Sequence, residues 1–310
     1  MTPKTGYSRQ QLSDSRQFCR RLATSHYENF VVASWLLPRR LKPAFYAIYS
    51  FCRIADDAGD ESPDTQTALE RLDTLEQGVH ALSATDARDL PAAPEFCGPL
   101  WPALAETMLH FEIPKQPLLD LISAFRQDQR QPHYEDWESL IDYCRRSANP
   151  VGRIVLKLGG VDETLDASGS SVAERSDQIC TGLQLANFWQ DVSRDFHRQD
   201  QSRIYLPADR MAAHGVTRQH IRDGEFSTGF ADMMRELIAR TDQFFDQGSV
   251  IADRRYVPKW LVGDLKLFVA GGRQVLRAIE SQQYDVLRSR PVVSKLTQMR
   301  LTASAALGWL

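Results

Sequence analysis

An all-α fold is what this sequence predicts, on three observations. Apolar residues recur at helical spacing along most of the chain, and alternating strand patterns are nearly absent. Proline and glycine fall between the periodic segments, at Pro38, Pro63, Pro91 with Pro94, Pro132, Gly159-Gly160 and Pro207 to Gly215. Hydrophobic residues make up 43% of the 310 positions, enough to bury a large core.

In chain order, helices are expected over 8–31, 39–60, 64–84, 99–111, 116–130, 136–158, 171–196, 228–249, 257–283 and 292–308. The stretch 84–98, with Pro91 and Pro94, is the best linker candidate, yet helical periodicity resumes on both sides of it. A single domain over 1–310 is therefore expected, with its core over about 20–296.

The bulk numbers narrow the function. A net charge of −3 argues against a nucleic-acid partner, whose footprint would be basic. No apolar run approaches the roughly 18 residues of a membrane span; "FVVASWLLP" is among the longest. The first residues, MTPKTGYSRQQ, lack the apolar stretch of a signal peptide. Cysteines 19, 52, 97, 144 and 180 form no CxxC pair, which suits reduced thiols in the cytoplasm. Seven histidines include no HExxH, so a zinc hydrolase has little support.

Two acidic stripes carry the chemistry. In "FCRIADDAGDE", residues 51–61, Phe45, Tyr49, Cys52, Asp56 and Asp60 share one helix face, with Arg53 and Asp57 beside it. Asp56 and Asp60 are a like-charge i,i+4 pair, costing a helix a few tenths of a kcal/mol. Gly59 adds about 1 kcal/mol relative to alanine. A divalent cation would remove the repulsion, and the negative end of the helix dipole favours one there. A solvated, fraying helix end is the bland alternative.

In "LQLANFWQDVSRD", residues 183–195, Gln184, Asn187, Asp191 and Asp195 stack along one line. Leu183 flanks that line on one side, with Phe188, Val192 and Leu185 on the other, while Ala186, Gln190 and Ser193 lie opposite. A polar line between bulky apolar residues suggests a cavity wall; a satisfied network between packed helices is the alternative. Two such stripes suit a diphosphate bridged by Mg²⁺, which takes oxygen ligands and typically one or two carboxylates plus substrate phosphates. Aromatic rings deeper on the same faces suit a long hydrocarbon, and cations rest favourably on ring faces.

These pieces, with "LLPRRLKPAFYAIYSFCRIADDAGD", "YCRRSANPVG", "RIYLP" and "RSRPVVSK", resemble the squalene/phytoene synthase family from about His26 to about Lys295. That family comprises the head-to-head trans-isoprenoid synthases, whose fold is one helical bundle around a central cavity. "HYENF", "YCRRSANPVG" and "NFWQD" look most like the hopanoid-pathway hydroxysqualene synthases; other members more often carry N-I-L-R-D where this chain has Phe188, Trp189 and Gln190. The resemblance implies metal binding by Asp56, Asp60, Asn187, Asp191 and Asp195. It places Arg53, Arg203, Tyr205 and Arg290 at the diphosphate, and Tyr49 and Tyr143 near the reacting carbons. Phe45, Ser147 and Gln184 are added as pocket-lining substrate contacts from their helix faces. Gly59 departs from the commoner D-D-I-A-D form and questions local rigidity.

Pro150 biases Asn149 away from helix, giving either a kink with carbonyls open to the cavity or a plain break. Gly152 permits close approach of backbone or ligand, and His26 reads more readily as a core or capping histidine than as a substrate contact. Basic clusters at Arg20-Arg21, Arg39-Arg40-Lys42 and Arg145-Arg146 read as solvated faces or as contacts to an anionic membrane.

The expected activity is Mg²⁺-dependent conversion of presqualene diphosphate to hydroxysqualene. The nearest alternative is head-to-head condensation of farnesyl or geranylgeranyl diphosphate; a remote one is a non-catalytic assembly protein of the same fold. A cytoplasmic location with peripheral membrane contact is the expectation.

Overall fold

The structure, a computed structural model, describes residues 6–25, 37–82, 95–130, 133–161, 165, 167–197 and 203–307. Among these it contains no strand, only the isolated bridges Tyr134–Pro207 and Leu165–Ser171. The fold is all-α, as expected. Contacts group the chain into one unit of residues 1–129 with 154–162, and another of residues 130–153 with 163–310.

The first unit holds α1 (Arg9–Ser25), α2 (Lys42–Asp60), α3 (Thr65–Ala81), α4 (Trp101–His110) and α5 (Gln116–Asp128). α2 is its axis, packed against the other four. It starts with Pro43, whose missing N–H costs nothing in a first turn. Ala44, Ala47, Ile48, Phe51, Ile54, Ala55 and Ala58 then bury one side at helical spacing. α3 begins where the Asp64 side chain accepts from Thr67 N at 2.8 Å, satisfying an orphan donor of the first turn. Ser15 of α1 ties to α4 by donating to Leu100 O at 3.2 Å and accepting from Ala103 N at 2.9 Å.

The second unit holds α6 (Trp137–Ser147), the start of α7 (Asn149–Leu158), α8 (Val172–His197), α9 (Ala208–Ala213), α10 (Arg218–Arg222), α11 (Thr228–Ser249), α12 (Lys259–Ser281) and α13 (Lys295–Leu307). α8 is its axis, packed on α6, α10, α11 and α12. Trp189 of α8 is fully buried and donates Nε1–H to Thr241 Oγ1 of α11 at 2.7 Å.

Several boundaries differ from expectation. The helix expected over 136–158 is two helices, interrupted at Ala148, with Asn149-Pro150 opening the second. Pro150 is tolerated because it falls in a first turn, so the plain-break alternative is the one observed. Asn149 is buried and accepts from Thr181 Oγ1 at 2.9 Å. A β-carbon on Gly152 would lie 2.6 Å from both Cys180 Sγ and Ser176 Oγ, so the close approach there is helix to helix. The short helices α9 and α10 were not anticipated; each is barely longer than one turn, too short for periodicity to register. The first helix is described to Ser25, and His26 lies outside the described residues, as does most of the linker candidate.

Candidate active site

On α2, the face opposite the buried alanines carries Phe45, Tyr49, Cys52, Asp56 and Asp60, with Arg53 and Asp57 beside them, and all seven are half-buried. That face is neither fully solvated nor closed off in the core. Arg53 lies across the acidic end of the helix. Its Nε donates to Asp57 Oδ2 at 3.0 Å, its Nη2 reaches Glu61 Oε1 at 3.1 Å, and its Nη1 stands 3.8 Å from Asp56 Oδ2. Burial alone would lower the Arg53 pKa, but Asp57 and Asp56 outweigh it and raise it. Part of the like-charge cost foreseen for this segment is thus removed by the helix's own arginine.

Burial also pushes the Tyr49 hydroxyl upward, with Arg53 opposing and Asp57 and Asp56 adding. The Cys52 thiol is pushed up to about 12 by burial and by Asp56, so it stays protonated and inert. Gly59 is buried, and its carbonyl accepts from Gln129 Nε2 at 2.9 Å. This end of the helix is therefore anchored rather than fraying.

α8 is buried around most of its circumference, including Leu185, Ala186, Phe188, Trp189, Gln190 and Val192. The line of Gln184, Asn187, Asp191 and Asp195 is its accessible edge, with Asn187 exposed and the others half-buried. The opposite side, with Ala186 and Gln190, is interior as well, because α8 is the axis of its unit.

Arg290, 99 residues further on, is brought to this edge. Its Nε and Nη2 grip the Asp191 carboxylate, the second bond at 3.1 Å, while the Asp191 side chain is only 15% exposed. Donating hydrogen bonds to the Asp191 carboxylate raises the Arg290 pKa, against a smaller lowering by burial. Gln190 completes the junction, accepting from Arg290 Nη2 at 3.0 Å and donating to Pro291 O at 2.6 Å. Sequence reasoning missed Gln190. The signal was a glutamine beside large apolar residues on a helix buried on nearly all sides.

Tyr143 and Tyr205 also come together. Tyr205 stacks on Phe188 with centroids 3.9 Å apart and planes 3° apart. Tyr143 is 5.7 Å from Tyr205 and 6.0 Å from Phe188, and Tyr134 closes the cluster 5.3 Å from Tyr143. The loop carrying Tyr205 is held in place where Ala208 N donates to Tyr134 O at 2.9 Å. Arg203 is half-buried two residues before Tyr205. The Ser147 hydroxyl oxygen is buried without a hydrogen bond among the described residues. A separate cavity of about 640 Å³, lined by His133, Ile204, Leu206, Met211, Val216 and Arg218, includes none of the expected site residues.

Among the described residues no three His, Cys, Asp or Glu side chains converge into a metal cage. The two acidic edges offer carboxylate and amide oxygens at accessible positions. Such a donor set fits Mg²⁺, which keeps waters and completes its shell with phosphate oxygens.

An all-α protein whose two axial helices each present an acidic edge beside aromatic rings belongs with the isoprenoid-synthase fold. Its similarity to a solved squalene synthase, HpnC from Alicyclobacillus acidocaldarius, bears this out: 38% identity over 91% of this chain and 98% of that one, with a TM-score of 0.76. A family model described as Squalene/phytoene synthase matches residues 23–297, and the chain belongs to that family. It is 36% identical to a hydroxysqualene synthase of Rhodopseudomonas palustris, over 74% of this chain and 72% of that protein. It is 32% identical to another of Sinorhizobium fredii, over 73% and 71%.

Proposed function

We propose that the protein ionises presqualene diphosphate and captures the rearranged cation with water, giving hydroxysqualene in squalene and hopanoid synthesis, as one synthase domain. The observation that carries this is the pair of accessible acidic edges on two otherwise buried helices. The names of two relatives at 32–36% identity support the particular reaction.

In this reading Asp56 and Asp60, with Asn187, Asp191 and Asp195, hold Mg²⁺, which supplies positive charge to the oxygens of the departing diphosphate. Arg53, Arg203 and Arg290 bind the diphosphate, the guanidinium fork matching its oxygens. The Tyr205–Phe188 stack and Tyr143 present ring faces that favour a cation in the hydrocarbon. Tyr49, Phe45, Gln184 and Ser147 line the path and limit water. Condensation of two farnesyl diphosphates remains the second reading, favoured by the squalene synthase name of the solved relative.

Incubation with Mg²⁺ and either presqualene diphosphate or farnesyl diphosphate, followed by mass spectrometry, separates the two. Hydroxysqualene from presqualene diphosphate alone is expected; presqualene diphosphate formed from farnesyl diphosphate would replace the assignment.

The substrate and product are lipids, and the reading includes a peripheral contact with an anionic bilayer. Among the described residues no helix is long and apolar enough to cross a membrane. Val292, Leu296 and Met299 are each 68% exposed, whereas Thr297, Leu301 and Ser304 are half-buried, so α13 turns apolar side chains outward. From 286 onward the sequence has Arg288, Arg290, Lys295 and Arg300 and no acidic residue, the charge that suits anionic lipid. Co-sedimentation with phosphatidylglycerol vesicles is expected, and loss of it in Leu296→Glu/Met299→Glu. Self-association through this face, or equal sedimentation with neutral vesicles, would remove the membrane contact from the reading.

A further inference from the structure

Gln190 is a buried polar residue of α8 that the proposed chemistry leaves without a task. Its side chain is 6% exposed, and both ends of its amide are used. The carbonyl oxygen accepts from Arg290 Nη2 at 3.0 Å, and the NH₂ donates to Pro291 O at 2.6 Å. Both partners belong to the segment between α12 and α13, in its stretch 290–294 that is neither helix nor turn.

Two consecutive residues of α8 therefore grip two consecutive residues of that segment. Asp191 takes the Nε and Nη2 edge of Arg290, and Gln190 takes Nη2 from the other side. The contacts leave Nη1 without a hydrogen bond among the described residues, on a side chain that is 44% exposed. A guanidinium is a planar fork, so holding one edge sets the direction of the remaining N–H groups. Asp191 alone would supply the charge but would let the arginine pivot about the carboxylate. A neutral amide behind Nη2, anchored to the next peptide, removes that freedom.

We propose that Gln190 is a positioning residue, orienting Arg290 so that its Nη1 edge is presented ready-made to a diphosphate oxygen. The inference rests on the reading of the Asp191 edge as a diphosphate site. Preorganised donors bind more strongly than donors that must first be ordered, because the ordering cost is met on folding. A hydrogen bond to a charged group held in this way is worth roughly a tenfold change in affinity.

The test is calorimetric titration of the full chain with inorganic pyrophosphate in Mg²⁺, beside a thermal melt of each variant. Gln190→Met keeps the length and apolar bulk of the side chain while losing both hydrogen bonds. It is expected to weaken pyrophosphate binding roughly tenfold. In an Arg290→Ala background the same substitution should change the affinity no further, although it lowers the melting temperature in both backgrounds. A merely structural glutamine would shift the melts and leave the affinity unchanged. Arg290→Lys gives an independent reading, because it keeps the charge and loses the fork; it should lose about as much affinity as Gln190→Met.

The inference is overturned by wild-type affinity in Gln190→Met or in Arg290→Lys, or by an equal Gln190→Met loss with and without Arg290. If the unmodified protein binds no pyrophosphate in Mg²⁺, the diphosphate reading itself fails, an outcome distinct from these.

Discussion

The acidic edges of α2 and α8 are alike in composition and opposite in how their charge is balanced. On α2 the balancing cation is local: Arg53 reaches Asp56, Asp57 and Glu61 from three, four and eight residues away on the same stretch. On α8 the hydrogen-bonded cation is remote: Arg290 comes back across 99 residues to grip Asp191, with Gln190 behind it, while the local Arg194 stands 3.8 Å from the same carboxylate. A local pair persists as long as its helix does. A remote pair depends on the tertiary placement of a loop, which Gln190 fixes here through Arg290 and Pro291. Both edges are thus balanced by a hydrogen-bonded arginine, supplied by the helix itself on α2 and by a distant segment on α8.

Removing either edge is expected to have the largest effect. Asp56→Ala and Asp191→Ala should each lower Mg²⁺-dependent turnover on the order of 10²–10³-fold, with the far-ultraviolet circular dichroism close to that of the parent protein. Full activity in both variants would break the comparison.

The two arginines should respond differently. Arg53→Ala leaves Asp56, Asp57, Asp60 and Glu61 to repel one another, so Mg²⁺ should raise its melting temperature more than it raises that of the parent. Arg290→Ala leaves the largely buried Asp191 with only Arg194, 3.8 Å away and mostly exposed, and should cost about 1–2 kcal/mol in denaturant unfolding. Equal Mg²⁺ responses in the two variants would show that the local and remote balances are not distinct.

Asp264 is a carboxylate outside both edges and serves as a control. It is buried on α12, one of its oxygens has no hydrogen bond among the described residues, and burial pushes its pKa up to about 8. Between about pH 4 and 8 the folded state therefore holds a proton that the unfolded chain has lost, so stability falls as pH rises through that window. Asp264→Asn should flatten that decline in melting temperature while leaving turnover within about twofold. A wild-type pH profile of melting in this variant would exclude Asp264 as its source.

The smallest effect is expected at Gly59. A β-carbon there would sit 3.4 Å from Gln129 Nε2 and 3.7 Å from Phe125 Cβ, which is ordinary contact. Gly59→Ala should stabilise by up to about 1 kcal/mol through helix propensity, measured by urea unfolding.

The long helices were legible because their apolar residues keep the 3.6 period over many turns: 228–249 and 116–130 were expected where Thr228–Ser249 and Gln116–Asp128 lie. The break at Ala148 was legible only as an alternative, because a proline near a helix middle and one in a first turn look the same without the flanking geometry. On α2 the acidic and aromatic face could be read directly, since every residue of it belongs to one helix. On α8 the stripe was legible but its surroundings were not. Gln190 and Trp189 find Pro291 and Thr241 across 101 and 52 residues, and no local pattern encodes such pairs. Arg290 was reached through resemblance rather than spacing, and its grip on Asp191 is a tertiary fact.

The most direct test of the account is pyrophosphate binding in Mg²⁺ by Asp56→Asn, Asp191→Asn and the double variant, measured by calorimetry. If each acidic edge contributes to holding pyrophosphate with Mg²⁺, each single variant loses most of the affinity and the double variant binds no better than either. One single variant that binds like the parent protein would contradict it.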